Sequence, residues 1–247
     1  MSLAVARNAL VLALVASAVS AVGCAAGTDD ESTGSGDSAI NIGQQAGPPT
    51  MLPESVLIAV NNAARDFCTG VLISPTIVMT ATHCTGGSTY TVTAQYAPGS
   101  PKSNAKVAAR VARSNDWYSD VEKEDIALLR LDTPIKLAVY PEVRDVGELG
   151  NKKVYGVAVG RDRQKRDANL VKSVVLNVST GSDYGYTTGL KSEYYSSGGD
   201  SGGPLFLADS RGNPQHVLIG IERQPDPPLD FYTRITPAVK NLVANNR

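Results

Sequence analysis

Aromatic residues are scarce in this chain of 247 residues: they make up 6% of it, and ten tyrosines outnumber three phenylalanines and one tryptophan. Its core must therefore rest on Val, Ile, Leu and Ala, which suits many short strands. An excess of charge is also missing, because 23 basic against 24 acidic side chains leave a formal net charge of -1. That removes any general electrostatic pull toward nucleic acid or anionic lipid, and nucleic acid is not expected as a partner. Histidine is rarer still, with two in the whole chain, and the three cysteines form no CxxC or Cys/His cluster. A zinc or other metal site is not expected. With 42% hydrophobic residues and glycine at no fixed period, the composition is neither disordered nor collagenous.

No hydrophobic run reaches the roughly 20 residues that a membrane-spanning helix needs. The longest, the 15 residues from Ala9 to Gly23 after Arg7, reads as a secretory signal over residues 1–24. A buried N-terminal helix is the plainer alternative. Cleavage can follow Ala16-Ser17-Ala18 or Ala18-Val19-Ser20-Ala21. Alternatively, Ala21-Val22-Gly23-Cys24 resembles a bacterial lipoprotein signal, in which Cys24 is acylated and anchors the protein to a membrane; Ala21 stands where leucine is usual. Residues 25–39, rich in Gly, Ser, Thr and Asp, read as a solvated tether or a propeptide ahead of a domain over residues 40–247. The expected location is outside the cytoplasm, either secreted or as a periplasmic or cell-surface lipoprotein. If Cys24 is lipidated or removed, Cys68 and Cys84 remain as one candidate disulfide; two free buried thiols are the other reading.

From Ser55 onward, short apolar or alternating runs recur between Gly, Pro, Asn, Asp and Ser: VLIAV (56–60), TGVLI (69–73), TIVMTA (76–81), TYTVTAQY (89–96), KVAARVAR (106–113), DIALLRL (125–131), KVYGVAVG (153–160), VKSVVLNV (171–178), PLFL (204–207), HVLIGIE (216–222) and FYTRI (231–235). No helix-length amphipathic segment intervenes, so the spacing predicts an all-β sandwich or barrel. Only the C-terminus reads as helix, with Thr236 as N-cap, Pro237 at the first position, and Val239, Leu242 and Val243 on one apolar face.

Three segments carry chemistry. In Gly199-Asp200-Ser201-Gly202-Gly203-Pro204 the glycines let the backbone turn so that the amides of Gly199 and Ser201 can face one point beside a serine hydroxyl. Standing alone, the stretch also reads as a glycine-rich hairpin. A hydroxyl nucleophile needs a base. His216 follows the turn signal Gly212-Asn213-Pro214 and reads as a strand-edge surface residue, so His83 in Thr80-Ala81-Thr82-His83-Cys84 is the candidate. An imidazole in that role needs a carboxylate to hold its tautomer. Asp125, at the mouth of the apolar run 126–131, is placed to supply it, or else to cap the strand. Gly199-x-Ser201-x-Gly203 also matches the nucleophile elbow of α/β-hydrolases, but that pattern needs a helix directly after the serine, and Gly202-Gly203-Pro204 breaks one.

TATHC, DIALL and GDSGGP, in that order, resemble the histidine, aspartate and serine blocks of the trypsin and chymotrypsin family, and the resemblance extends over residues 40 to 246. It implies two packed six-stranded antiparallel β-barrels with a short C-terminal helix, and a serine endopeptidase with no metal or organic cofactor. Ser201 is then the nucleophile, His83 the base, Asp125 its orienting acid, and the amides of Gly199 and Ser201 the oxyanion donors. Protein or peptide substrates are the implied partners, for an enzyme expected to be monomeric. The family forms its oxyanion site when a new N-terminus pairs with the aspartate before the serine; Ile40-Asn41-Ile42-Gly43 resembles that block, so Ile40 and Asp200 are the implied activation ion pair. Departures cluster at the substrate pocket. Ser197 replaces a usual cysteine, Tyr195 stands where trypsins place an aspartate, Asp230 offers a negative charge from the opposite wall, and Arg223 is a candidate to pair with Asp230 or Glu222 and block the pocket. Tyr195 and Arg223 motivate the alternative of a non-catalytic, protease-like binding domain on a lipid tether. The basic run 161–167 reads as a solvated hairpin loop.

Overall fold

Strands that are apolar on both faces explain most of the architecture. The computed structural model describes residues 49–61, 67–111, 125–147, 154–161, 170–181 and 186–247. The expectations for Cys24, the tether and Ile40, and most of the basic run, lie outside these residues. The described residues all belong to one compact unit, Ser38–Arg247.

The first half contributes β1 (Ser55–Val60), β2 (Phe67–Ser74), β3 (Ile77–Thr80), β4 (Tyr90–Thr93), β5 (Lys102–Arg110) and β6 (Ala127–Leu131), closed into an antiparallel barrel in the order β1-β2-β3-β6-β5-β4. A two-residue strand, β7 (Glu142–Val143), leads to the second half. There β8 (Val154–Arg161), β9 (Leu170–Gly181), β10 (Tyr186–Glu193), β11 (Pro204–Ala208), β12 (Pro214–Asp226) and β13 (Leu229–Arg234) follow, ending in the helix α1 (Pro237–Ala244). Their order is β11-β8-β9-β10-β13-β12, and the additional β11–β12 pairing closes a second six-stranded barrel, with β7 added parallel to β12.

Alternation within each apolar run divides the core into three clusters. Val56, Ile58, Leu72, Val78, Leu129 and Leu131 fill the first barrel, and Ala158, Leu176, Leu190, Leu205 and Ile219 fill the second. The residues between them in sequence, Leu57, Val71, Met79, Leu128, Val157, Val159 and Phe206, join a cluster that draws on both barrels and on Val239 and Val243 of α1. A strand with a wet face would alternate apolar with polar; these read as continuous apolar runs because both faces are covered. At about 1.5–3 kcal/mol per fully buried large side chain, this shared cluster is a major stabilising term. Strand β5 is the contrast, with exposed residues at alternate positions.

The C-terminal expectations hold: Thr236 Oγ1 accepts from Val239 N at 3.3 Å, with Pro237 opening the helix. Cys68 in β2 and Cys84 in the 3-10 turn Thr82–Thr85 form the disulfide, at a sequence separation of 16. Its removal by a Cys68→Ser, Cys84→Ser pair is expected to lose about 3 kcal/mol, mainly by freeing the unfolded chain. Calorimetry of the oxidised parent against the double variant should show a Tm about 6–12 °C lower; an unchanged Tm would show that the bridge does not stabilise the fold.

Candidate active site

His83 enters the site from the 3-10 turn that follows β3, where the disulfide at the next residue holds the main chain. Asp125 stands two residues before β6 and meets it twice. Oδ2 lies 2.6 Å from His83 Nδ1, and Oδ1 accepts the His83 backbone N–H at 3.0 Å. A carboxylate held at both oxygens fixes the ring plane, and with the ring proton on Nδ1 facing that carboxylate, Nε2 is the nitrogen that can act as a base. Asp125 N in turn donates to Thr233 Oγ1 of β13 at 3.3 Å, so the pair sits where the two barrels meet. Burial pushes the Asp125 pKa up, but the hydrogen bonds and charge of His83, helped by the charge of Arg223, outweigh it and hold the carboxyl below its ordinary range. Arg223, a candidate to pair with Asp230 or Glu222, lies near enough for its charge to act on Asp125.

Ser201 is carried by the turn before β11. Its carbonyl accepts from Thr69 N at 2.9 Å and lies 3.5 Å from Cys84 Sγ, which places it against the residue after His83. Gly202, at φ 80°, is packed so tightly that an added Cβ would overlap Thr80 Oγ1 and the Thr69 carbonyl. Gly199 has φ 95°, a conformation open chiefly to glycine. The fully buried Asp200 carboxylate accepts from Arg161 N at 2.6 Å and Ser197 N at 2.8 Å. These bonds draw the turn together. The other member of the expected activation pair, Ile40, is outside the described residues.

Behind the serine lies a group of acids that the sequence reading foresaw only in part. Asp230 does stand opposite Tyr195, yet its carboxylate is taken up by Tyr195 N at 2.6 Å, Ser196 N at 2.9 Å and Ser196 Oγ at 2.5 Å. Burial raises its pKa in spite of these bonds. Glu222 on β12 is 1% exposed, and burial followed by the negative charges of Asp230 and Asp200 pushes its pKa well above the ordinary carboxylate range. Tyr195 packs against the core of the second barrel. An acid ending the apolar run 216–222 was the available signal for Glu222.

His216 meets its expectation in part, since its side chain is 37% exposed. Strand β12 already begins at Pro214, so His216 lies within the strand rather than at its edge, at φ 51°, and its Nδ1 is 2.6 Å from Oε1 of the fully buried Glu54. It forms a second histidine–carboxylate pair, built from a residue just before β1 and a strand of the second barrel.

Two closed antiparallel barrels with a histidine–aspartate pair at their seam and a glycine-flanked serine turn beside it define the class of the two-barrel, trypsin-like proteins. The sequence pattern described as Trypsin matches residues 41–242, and the chain belongs to that family. Among curated proteins none matches. Of solved structures, 1068 chains match. One is neuropsin, a serine protease expressed in the limbic system of mouse brain, 17% identical, with a TM-score of 0.59 over 81% of this chain and 97% of that one. At that identity the likeness concerns the fold.

Proposed function

We propose that this protein is a serine endopeptidase in which Ser201 attacks the scissile carbonyl, His83 takes the proton and returns it to the leaving amine, and Asp125 orients His83. The amides of Gly199 and Ser201 then receive the oxyanion, and an acyl-enzyme on Ser201 is the intermediate. The observation that carries this reading is the two-point hold of Asp125 on His83, at 2.6 Å to the ring and 3.0 Å to the main chain. A carboxylate that only capped a strand would have no need of the ring nitrogen. Protein or peptide substrates follow from the family. The disulfide fits an exported protein, and we extend this to secretion or a Cys24 lipid anchor, with Ile40 pairing with Asp200 after cleavage.

A second reading, the binding domain, is favoured by one feature, the packing of partly buried Tyr195 against the core of the second barrel, at the position where trypsins place an aspartate. Fluorophosphonate labelling separates the two. The protease reading expects stoichiometric modification of Ser201, abolished by prior reaction with PMSF; a chain that stays unlabelled at Ser201 under native conditions is the binding domain.

A further inference from the structure

Resting on the protease reading, the environment of Gly199 carries one more step. Gly198 and Gly199 stand three and two residues before the serine, and two consecutive glycines are the least restrained backbone a chain can have. An amide that must already face a developing oxyanion cannot be left to rotate, because reorienting it during the reaction would cancel its benefit. Something outside the turn has to hold it.

The restraints come from two sides. From the first barrel, Thr69 Oγ1 donates to the Gly199 carbonyl at 2.8 Å, which fixes the peptide plane leaving Gly199. From the second, Arg161 at the end of β8 covers the other side. A Cβ built on Gly199 would overlap Arg161 Nη1 and lie 3.0 Å from its Cδ and 3.2 Å from its Cζ, so the arginine fills the volume that a side chain would take. Arg161 is itself held. Its N–H donates to Asp200 Oδ1 at 2.6 Å, its guanidinium carbon sits 5.1 Å from the centre of the Phe67 ring, and the residue is 8% exposed. Phe67 and Thr69 are both on β2, on either side of the disulfide-bonded Cys68.

We propose that Arg161 is a positioning residue for the reaction: with Thr69 opposite, it clamps Gly199 so that the Gly199 amide points at the oxyanion before substrate arrives. The reading of the basic run as a solvated loop therefore does not extend to its first member. A planar guanidinium stacked on a ring and against a backbone is not replaced by an ammonium, so lysine should not substitute. Removing an oxyanion donor outright costs about 10²–10³ in kcat; loosening one should cost somewhat less, roughly 10- to 100-fold.

The test uses the full chain with 4-nitrophenyl acetate as acylating probe and phenylboronic acid as oxyanion mimic. Arg161→Met, Arg161→Lys and Thr69→Val are each expected to acylate roughly 10- to 100-fold more slowly, with apparent ester affinity within about twofold and phenylboronic acid weakened in parallel. Fluorophosphonate should still reach full stoichiometry at Ser201 in each, showing that the variants are folded and intact. Thr69→Val loses one hydroxyl at unchanged volume, so it stands if the arginine variants fail to fold. The clamp is overturned if the parent acylates and the variants match it, if lysine restores the rate, or if weaker ester binding accounts for the whole loss. A parent protein that takes neither ester nor fluorophosphonate overturns the protease reading, and the clamp with it.

Discussion

Ser201→Ala is expected to lower peptide-bond hydrolysis by about 10⁴-fold or more, measured with fluorescently quenched casein. The reasoning is local. Without the hydroxyl there is no acyl-enzyme, and the remaining donors and binding surface supply only a residual rate above that in water. The fold should not change, because Ser201 is tied down through its main chain: its carbonyl accepts from Thr69 N, and the neighbouring Gly202 N donates to the Glu222 carbonyl at 2.8 Å. Neither bond involves Oγ. The Tm should accordingly stay within a degree or two of the parent. If Ser201→Ala keeps more than about a hundredth of the parental rate, the nucleophile has been misassigned. If the parent shows no hydrolysis of casein or of ester probes, the binding-domain reading takes its place.

The fold was legible in the sequence where apolar runs were long, because a strand covered on both faces reads as a mainly apolar run; β2, β3, β8 and the middle of β12, 217–221, are such stretches. It was illegible where pairing is made almost wholly by the backbone. Strand β10, YTTGLKSE, has the fully buried Leu190 among polar neighbours, and the first half of β5, KSNA, is exposed at alternate positions. Neither gives a periodic hydrophobic signal, and both exist because a closed barrel needs their hydrogen bonds. The site divides in the same way. His83, Asp125 and the serine turn were visible as three short motifs, since each is local in sequence. What lies around them was not: the Glu54–His216 pair spans 162 residues, and the Thr69 bond to Gly199 spans 130. Such partners have ordinary sequence surroundings, and only the packing of one barrel on the other brings them together. Glu222 shows the limit from another direction. Its place in the strand was readable, but its raised pKa comes first from burial and then from the charges of Asp230 and Asp200, which approach it from other segments.

Asp125→Asn should be nearly as damaging as loss of the serine, at about 10⁴-fold in kcat near neutral pH, and for a different reason. The amide oxygen of Asn can still accept the His83 backbone N–H, so the main chain stays in place. The other position then presents an NH₂ group to Nδ1, which must become an acceptor. That moves the ring proton to Nε2, the nitrogen that has to receive the proton of Ser201, and the base is lost without the residue being moved. The same change has a sign in stability. Because the folded Asp125 carboxyl titrates below its ordinary range, it stabilises the native state at pH values above its unfolded pKa of about 3.9, and that contribution disappears as pH falls through the lower folded value. The Asn variant lacks it at every pH. Urea titrations should therefore show parent and variant differing most above about pH 5 and converging toward pH 2. An Asp125→Asn protein within tenfold of parental activity at pH 7 would mean that His83 does not depend on this carboxylate for its tautomer, and the assignment of His83 as the base would fall with it.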